Sequence, residues 1–271
     1  MVFRLSPSRV AILLPTLALA VVTAGCGSST TPASGGDSGA QVQLITAGKV
    51  TTCTGLPYKP FQYEENGKVI GFDVDLMDLV AKKLNATQEI VDTPFEGIQS
   101  GVDLSSGKCD LAAAGMTITD ARKQNFDFSD PYFEATQAIV AKKGTPGQFE
   151  QLKGKKLGYQ NGTTGQEYAQ KNAPGVELVN FEDLGLELNA VETGVVDAAI
   201  NDNGVVFDWV KDHPDFEVVN QFDTGEKYGI GVKKGNAALL KVINETIAEA
   251  KSSGEYDKIY QKWFGKKPGD K

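Results

Sequence analysis

At 271 residues the chain has the length of about two domains, and its 41% hydrophobic and 23% charged composition supplies ordinary globular cores. A formal net charge of −8 argues against nucleic acid or an anionic membrane surface as the main partner. One histidine, His213, and three scattered cysteines offer no metal-ligand spacing, so no metal or cofactor is expected.

Residues 1–25 read as an export signal. Arg4 and Arg9 form its positive start, and residues 10–22 form an apolar stretch broken by Pro15. That stretch is shorter than the roughly 20 apolar residues of a membrane-spanning helix. Val22-Thr23-Ala24-Gly25-Cys26 resembles a bacterial lipobox, in which the cysteine is lipidated after cleavage, although Thr23 stands where leucine is usual. An ordinary signal peptide with an incidental Cys26 is the alternative. Residues 26–40, rich in Gly, Ser, Thr and Pro, read as a flexible tether. Losing Arg4 and Arg9 with the signal takes the charge from −8 to −10.

Beyond the tether, residues 49–54 read as a strand, and the loop Gly55-Leu56-Pro57-Tyr58-Lys59-Pro60-Phe61 presents Tyr58 and Phe61 at its carboxyl end. Asn66-Gly67 marks a hairpin. Asp73 is expected to cap a helix carrying Leu76, Leu79, Val80 and Leu84 near helical period. A strand at 88–92, a short helix at 95–105 and a buried strand at 109–114 follow. The stretch Gly115-Met116-Thr117-Ile118-Thr119-Asp120-Ala121-Arg122 then concentrates the chemistry. Thr119 is an N-cap, with Asp120 at N1 and Arg122 at N3. An arginine there opposes the helix dipole by roughly 0.3–1 kcal/mol, which an anion site explains. Free N–H groups, hydroxyls and a guanidinium fork would converge on one carboxylate. A surface arginine paired with a nearby Asp is the plainer alternative.

A second alternating set begins near Ala138. It comprises a strand at 156–160, the turn Asn161-Gly162-Thr163-Thr164-Gly165, a helix at 166–172, a strand at 177–181, a helix at 184–193 and a strand at 196–200 ending at Asn201-Asp202-Asn203. Residues 133–136 and 226–229 read as extended passages. A strand at 229–232, a long helix at 236–253 and an aromatic-rich helix at 256–264 close the chain. This alternation predicts parallel sheets flanked by helices, with ligand beyond the carboxyl ends of the strands. Tyr58, Phe95 and residues 115–122 all follow strand ends.

Residues 41–267 resemble the amino-acid-binding branch of the bacterial extracellular solute-binding proteins, which deliver ligand to ABC importers. The resemblance is carried by Tyr58-Lys59-Pro60-Phe61, Gly71-Phe72-Asp73-Val74-Asp75-Leu76, Gly115-Met116-Thr117-Ile118-Thr119, Arg122, Phe126-Asp127-Phe128-Ser129-Asp130-Pro131-Tyr132, Gly162-Thr163-Thr164 and Lys262-Trp263-Phe264-Gly265. It implies an α/β, two-lobed periplasmic-binding-protein-like fold of type II, each lobe a mainly parallel sheet flanked by helices. Lobe 1 would be residues 41–132 plus 230–271 and lobe 2 residues 138–225, with hinges at 133–137 and 226–229.

Carried over residue by residue, the resemblance places Arg122 on the ligand α-carboxylate, a bidentate contact that lysine cannot copy. Thr164 would donate to the same carboxylate, and Asp202 would accept from the α-ammonium. Thr117 would supply a hydroxyl, the Gly115 backbone would face the ligand, and Gln160 would complete the ligand set. Tyr58 and Phe95 would wall the ligand side chain. Asp202 also fits a cap on the following helix, and Tyr58 and Phe95 also fit ordinary core. Trp263 and Phe264 would clamp the terminal helix onto lobe 1.

The resulting expectation is a non-enzymatic, monomeric receptor, lipid-anchored through Cys26 on the extracytoplasmic face of the cell membrane, that hands an amino acid to an ABC permease. Relatives that bind cationic amino acids usually carry an acid where this chain has Gly55, which predicts a polar uncharged ligand such as glutamine or asparagine. Glutamate and cystine stay open. A dehydratase on the same scaffold and a ligand-sensing domain are the rival classes; the latter would continue into a membrane span and signalling module, which this sequence lacks. A Cys53–Cys109 bridge suits the compartment. The stagger expected between the end of one strand and the start of its neighbour argues against it.

Overall fold

The computed structural model describes residues 42–269; the expected export signal, Cys26 and the tether lie outside the described residues. The first part of the chain builds one sheet and its helices: β1 (Lys49–Thr54), β2 (Tyr63–Glu65), β3 (Lys68–Ile70), α1 (Phe72–Lys83), β4 (Thr87–Asp92), α2 (Phe95–Gln99), α3 (Val102–Ser105), β5 (Leu111–Ala112), α4 (Asp120–Lys123) and β6 (Phe126–Phe128). β1 is buried at five of its six positions, as a parallel strand covered on both faces requires. Asn66 and Gly67 turn the β2–β3 hairpin with φ of 53° and 74°, the left-handed pair that twists correctly into flanking strands.

Two local expectations change. Asp73 does not cap α1; Gly71 occupies that position, and the buried Asp73 carboxylate accepts from the Gly115 N–H at 2.8 Å and the Tyr132 hydroxyl at 2.8 Å. The helix expected at 95–105 is two short helices, broken where Gly101 turns left-handed at φ 77°.

The expectation against a disulfide is also overturned. Cys53 and Cys109 are bridged, with Cα atoms 5.7 Å apart. The stagger argument assumed a straight strand from Cys109 onward, but β5 is only two residues long. Cys109 and Asp110 precede it in irregular chain, and the Asp110 carboxylate accepts from the N–H groups of Ile45 and Thr51 at 2.8 Å each. That bend returns Cys109 to the side of β1.

The chain then crosses on β7 (Phe133–Lys142) into a second sheet with β8 (Lys156–Gln160), α5 (Thr164–Asn172), β9 (Glu177–Phe181), α6 (Leu184–Glu192), β10 (Ala198–Asp202), α7 (Asn203–Asp212) and β11 (Phe216–Tyr228). It returns to contribute β12 (Gly231–Lys233), α8 (Ala237–Ser253) and α9 (Glu255–Phe264) to the first lobe. The sheet orders are β4-β1-β5-β12-β6 and β11-β7-β10-β8-β9. In each, three neighbouring strands pair parallel, and one strand, β12 in the first sheet and β7 in the second, pairs antiparallel to both its neighbours.

β7 and β11 pair along their length, with Phe133 opposite Tyr228 and Glu134 opposite Lys227 at the crossing. Around it sits an aromatic cluster, with Phe61 and Phe133 ring centroids 4.9 Å apart and Phe264 at 5.4 Å from Phe61 and 5.3 Å from Phe72. Trp263 donates from Nε1 to Asp75 at 2.7 Å. The terminal helix is therefore pinned to the first lobe by both an apolar and a polar contact.

Candidate functional site

Between the lobes lies a cavity of about 280 Å³. The residues expected at a ligand, Tyr58, Phe95, Gly115, Thr117, Arg122, Gln160, Thr164 and Asp202, all line it. They come from the last residues of β8 and β10 and from the chain that follows β1, β4, β5 and β8, the carboxyl edge of both sheets.

Gly115 has φ 54°, and a Cβ there would stand 2.7 Å from the Tyr58 ring, so neither the backbone nor the space admits a side chain. Four residues on, Thr119 caps α4 by accepting from the Arg122 N–H at 3.2 Å, which fixes Arg122 in the first turn. The guanidinium is 6% exposed. It donates to the Thr117 carbonyl at 2.7 Å and, across the cleft, to the Gly162 carbonyl at 2.9 Å, with the Phe95 ring centroid 5.4 Å from Cζ. Two of its five donors are so used. Burial lowers its pKa, opposed mainly by the charge of Asp202.

Asp202 ends β10 and stands at the N-cap position of α7, yet its side chain makes no cap bond. Instead it accepts from Tyr58 at 2.9 Å, from Tyr228 and from Gln137. The capping alternative thus fails on geometry. Burial first, and the charge of Glu226 second, push its carboxyl up to about 7. Tyr58 links the lobes through this bond and a 3.2 Å bond to Asn201, and burial raises its own pKa well above the usual phenol value.

The threonine hydroxyls are placed differently from expectation. Those of Thr117 and Thr164 each donate to Glu226 at 2.7 Å. Thr164 is the first residue of α5, so its backbone N–H has no intrahelical partner and is available to an anion.

Sequence reasoning missed several lining residues. Asp92 ends β4, and Glu182 and Asp183 follow β9, so with Asp202 four carboxylates line the cavity against the single guanidinium of Arg122. The strand-end rule that found Tyr58 and Phe95 would have found these acids as well. Gln62 and Gln160 also line the cavity, 1% and 6% exposed, and the side-chain oxygen of each is buried without a hydrogen-bond partner among the described residues. Among the described residues no group of three or more His, Cys, Asp or Glu could hold a metal ion.

This chain belongs to the bacterial extracellular solute-binding proteins, family 3, whose pattern matches residues 50–266. It is 33% identical over 224 residues to the ABC transporter arginine-binding protein 1 of Escherichia coli, covering 80% of this chain and 91% of that one. Among solved structures, an ancestral arginine-binding protein bound to glutamine superposes with a TM-score of 0.77 at 45% identity, covering 82% of this chain and 100% of the other. The same kind of ancestral protein bound to arginine gives 0.76 at 45% identity, over 80% and 99% of the two chains. These named relatives are binding proteins rather than enzymes.

Proposed function

We propose that this protein is the extracytoplasmic amino-acid receptor of an ABC importer. The observation that carries the reading is one buried guanidinium, Arg122, and one buried carboxylate, Asp202, brought from different lobes to a single cavity. A zwitterion needs one of each. Arg122 and the Thr164 backbone N–H take the α-carboxylate; Asp202 and Thr117 take the α-ammonium, beside the Gly115 backbone. Tyr58 and Phe95 wall the side chain. Because the two halves of the site sit on different lobes, ligand favours the closed state by its differential affinity. In this reading residues 41–132 with 230–271 form one lobe, 138–225 the other, and 133–137 with 226–229 the hinges. The receptor acts as a monomer, is held to the membrane by lipidated Cys26, and docks on a permease.

For the side chain, the acids at the cavity favour a cation. The missing acid at Gly55 pointed to glutamine or asparagine, but Asp92, Glu182 and Asp183 arrive from other strands. A guanidinium or ammonium pairs with such acids, so arginine, lysine or histidine is the preferred ligand class. Glutamine is the second reading, supported by the ancestral relative bound to it on a like scaffold. Calorimetry with the twenty L-amino acids separates them. Tightest binding by a cationic amino acid is expected; glutamine binding above all three would remove the cationic reading, and no binding by any would remove the receptor reading.

The enzyme rival, a dehydratase, needs a general acid facing the cleft. Asp202 already accepts three hydrogen bonds and would meet an ammonium, which holds it as a carboxylate. Turnover of a prephenate-like substrate by the purified protein would promote that rival.

A further inference from the structure

Glu226 lies on β11 opposite Ala135, at the end of a ladder irregularity that begins at Phe222. Its carboxylate gathers four donors. One oxygen accepts from the hydroxyls of Thr117 and Thr164, each at 2.7 Å; the other accepts from Gln137 at 3.0 Å and Thr224 at 2.9 Å. Thr117 follows β5 in the first lobe and Thr164 opens α5 in the second, and both line the cavity. A carboxylate only accepts, and a threonine hydroxyl has a single hydrogen. Each of these hydrogens is therefore spent on Glu226, and what the two hydroxyls offer a ligand is lone pairs, that of Thr164 beside the one taken by Gln137 Nε2 at 3.3 Å.

We propose that Glu226 is a positioning residue for the ligand's α-ammonium: by taking the hydroxyl hydrogens of Thr117 and Thr164, it makes one threonine of each lobe an acceptor beside Asp202. This rests on the reading of the cleft as an amino-acid site. The α-carboxylate is then left to Arg122 and backbone N–H groups, and a carboxylate ligand lacking the amine meets acceptors it cannot satisfy. Unsatisfied polar partners reject a ligand more sharply than a lost methylene does. Glu226 thereby sets discrimination between amino acids and their des-amino analogues.

The test compares L-arginine with 5-guanidinopentanoate by calorimetry, or L-glutamine with glutaramate where glutamine is the tighter ligand. In E226Q the amide nitrogen donates to one hydroxyl and turns its hydrogen toward the cleft. The preference for the amino acid should fall about 10-fold or more, the size of a lost charge-assisted hydrogen bond, while affinity for the des-amino analogue holds or rises. At pH 8.5, where Asp202 is ionised with or without the Glu226 charge, E226Q in a T117V/T164V background should then shift the preference by no more than about 2-fold, because the hydroxyls it orients are gone. Equal loss for both ligands would make Glu226 a structural strap only and overturn the proposal. An unchanged preference, or the same shift in the valine background, would overturn it too. A wild-type protein that binds no amino acid would remove both this assignment and the receptor reading, an outcome distinct from those of the variants.

Discussion

Asp202 is the residue whose charge the binding step must settle. Its carboxyl is pushed up to about 7 by burial and by Glu226, so its charge changes across the neutral range. An α-ammonium favours the ionised form, so proton and ligand compete. Affinity should therefore fall as pH drops from 8 to 5.5, approaching tenfold per unit below 7, and binding at pH 7 should release protons into buffer. Titrations in buffers of different ionisation enthalpy read this directly; an affinity flat across that range would sink the acceptor role. For stability the sign is the reverse. The raised carboxyls of Asp73 and Asp202, both about 7 against 3.8 for the free group, contribute stability that is fully present below about 3.8 and lost as pH rises through about 7. In the proposed site Arg122 would set the other pole. Arg122→Ala should weaken ligand binding by about 100-fold or more with the circular dichroism of the fold retained, since a buried charged partner is removed; affinity within about threefold of wild type would break the assignment. Arg122 could be picked out from sequence by its place just after a buried strand and within the family-like motif; the helix dipole does not single it out, because α4 is a single turn in which Arg122 belongs to the last turn as much as to the first. Glu226 could not, because its donors come from positions 117, 137, 164 and 224, and only folding puts them together.

At the scale of elements, what local chemistry dictates was readable and what tertiary contacts decide was not. The Asn66-Gly67 hairpin, the strand at 156–160 and the long helix capped by Asn236 follow from turn chemistry, alternation and capping. The length of β5 does not. Cys109-Asp110-Leu111-Ala112-Ala113-Ala114 has the same apolar character whether it pairs over two residues or six, and the outcome turns on the Asp110 carboxylate taking N–H groups from Ile45 and Thr51. The Cys53–Cys109 bridge follows from that bend. It closes 56 residues of chain that include the Tyr58 loop, α1 and β4. By the chain-entropy relation, a loop of that size is worth about 4 kcal/mol. Replacing both cysteines by alanine should lower the denaturant midpoint and steepen the slope, because the unbridged chain exposes more surface on unfolding; a midpoint within error of wild type would show the unbridged chain to be held by other contacts.

For the whole molecule, two lobes that share one ligand should behave as a hinge with a single stop. The two lobes are already bridged by the Arg122–Gly162, Tyr58–Asp202 and Tyr58–Asn201 bonds and by Lys59 reaching Asp208 at 3.5 Å and Asp212 at 3.3 Å. Saturating ligand should shift the balance further, reducing the radius of gyration in solution scattering and raising thermal stability by about 2.7 kcal/mol at a hundredfold excess over Kd. Stabilisation with no change in scattering would mean that the ligand enters a cleft already shut. The two-lobed plan itself came from resemblance, because no periodicity in a single sequence announces that a chain leaves a sheet and returns to it. That return has a consequence for manufacture. β12 is not an edge strand; it lies between β5 and β6, so the sheet begun at residue 49 stays unfinished until residue 231 arrives. The second sheet, by contrast, draws all its strands from the unbroken run β7 to β11. A chain emerging amino end first from a secretion channel thus completes its middle before its beginning, and the half that carries Arg122 is the last to be sealed.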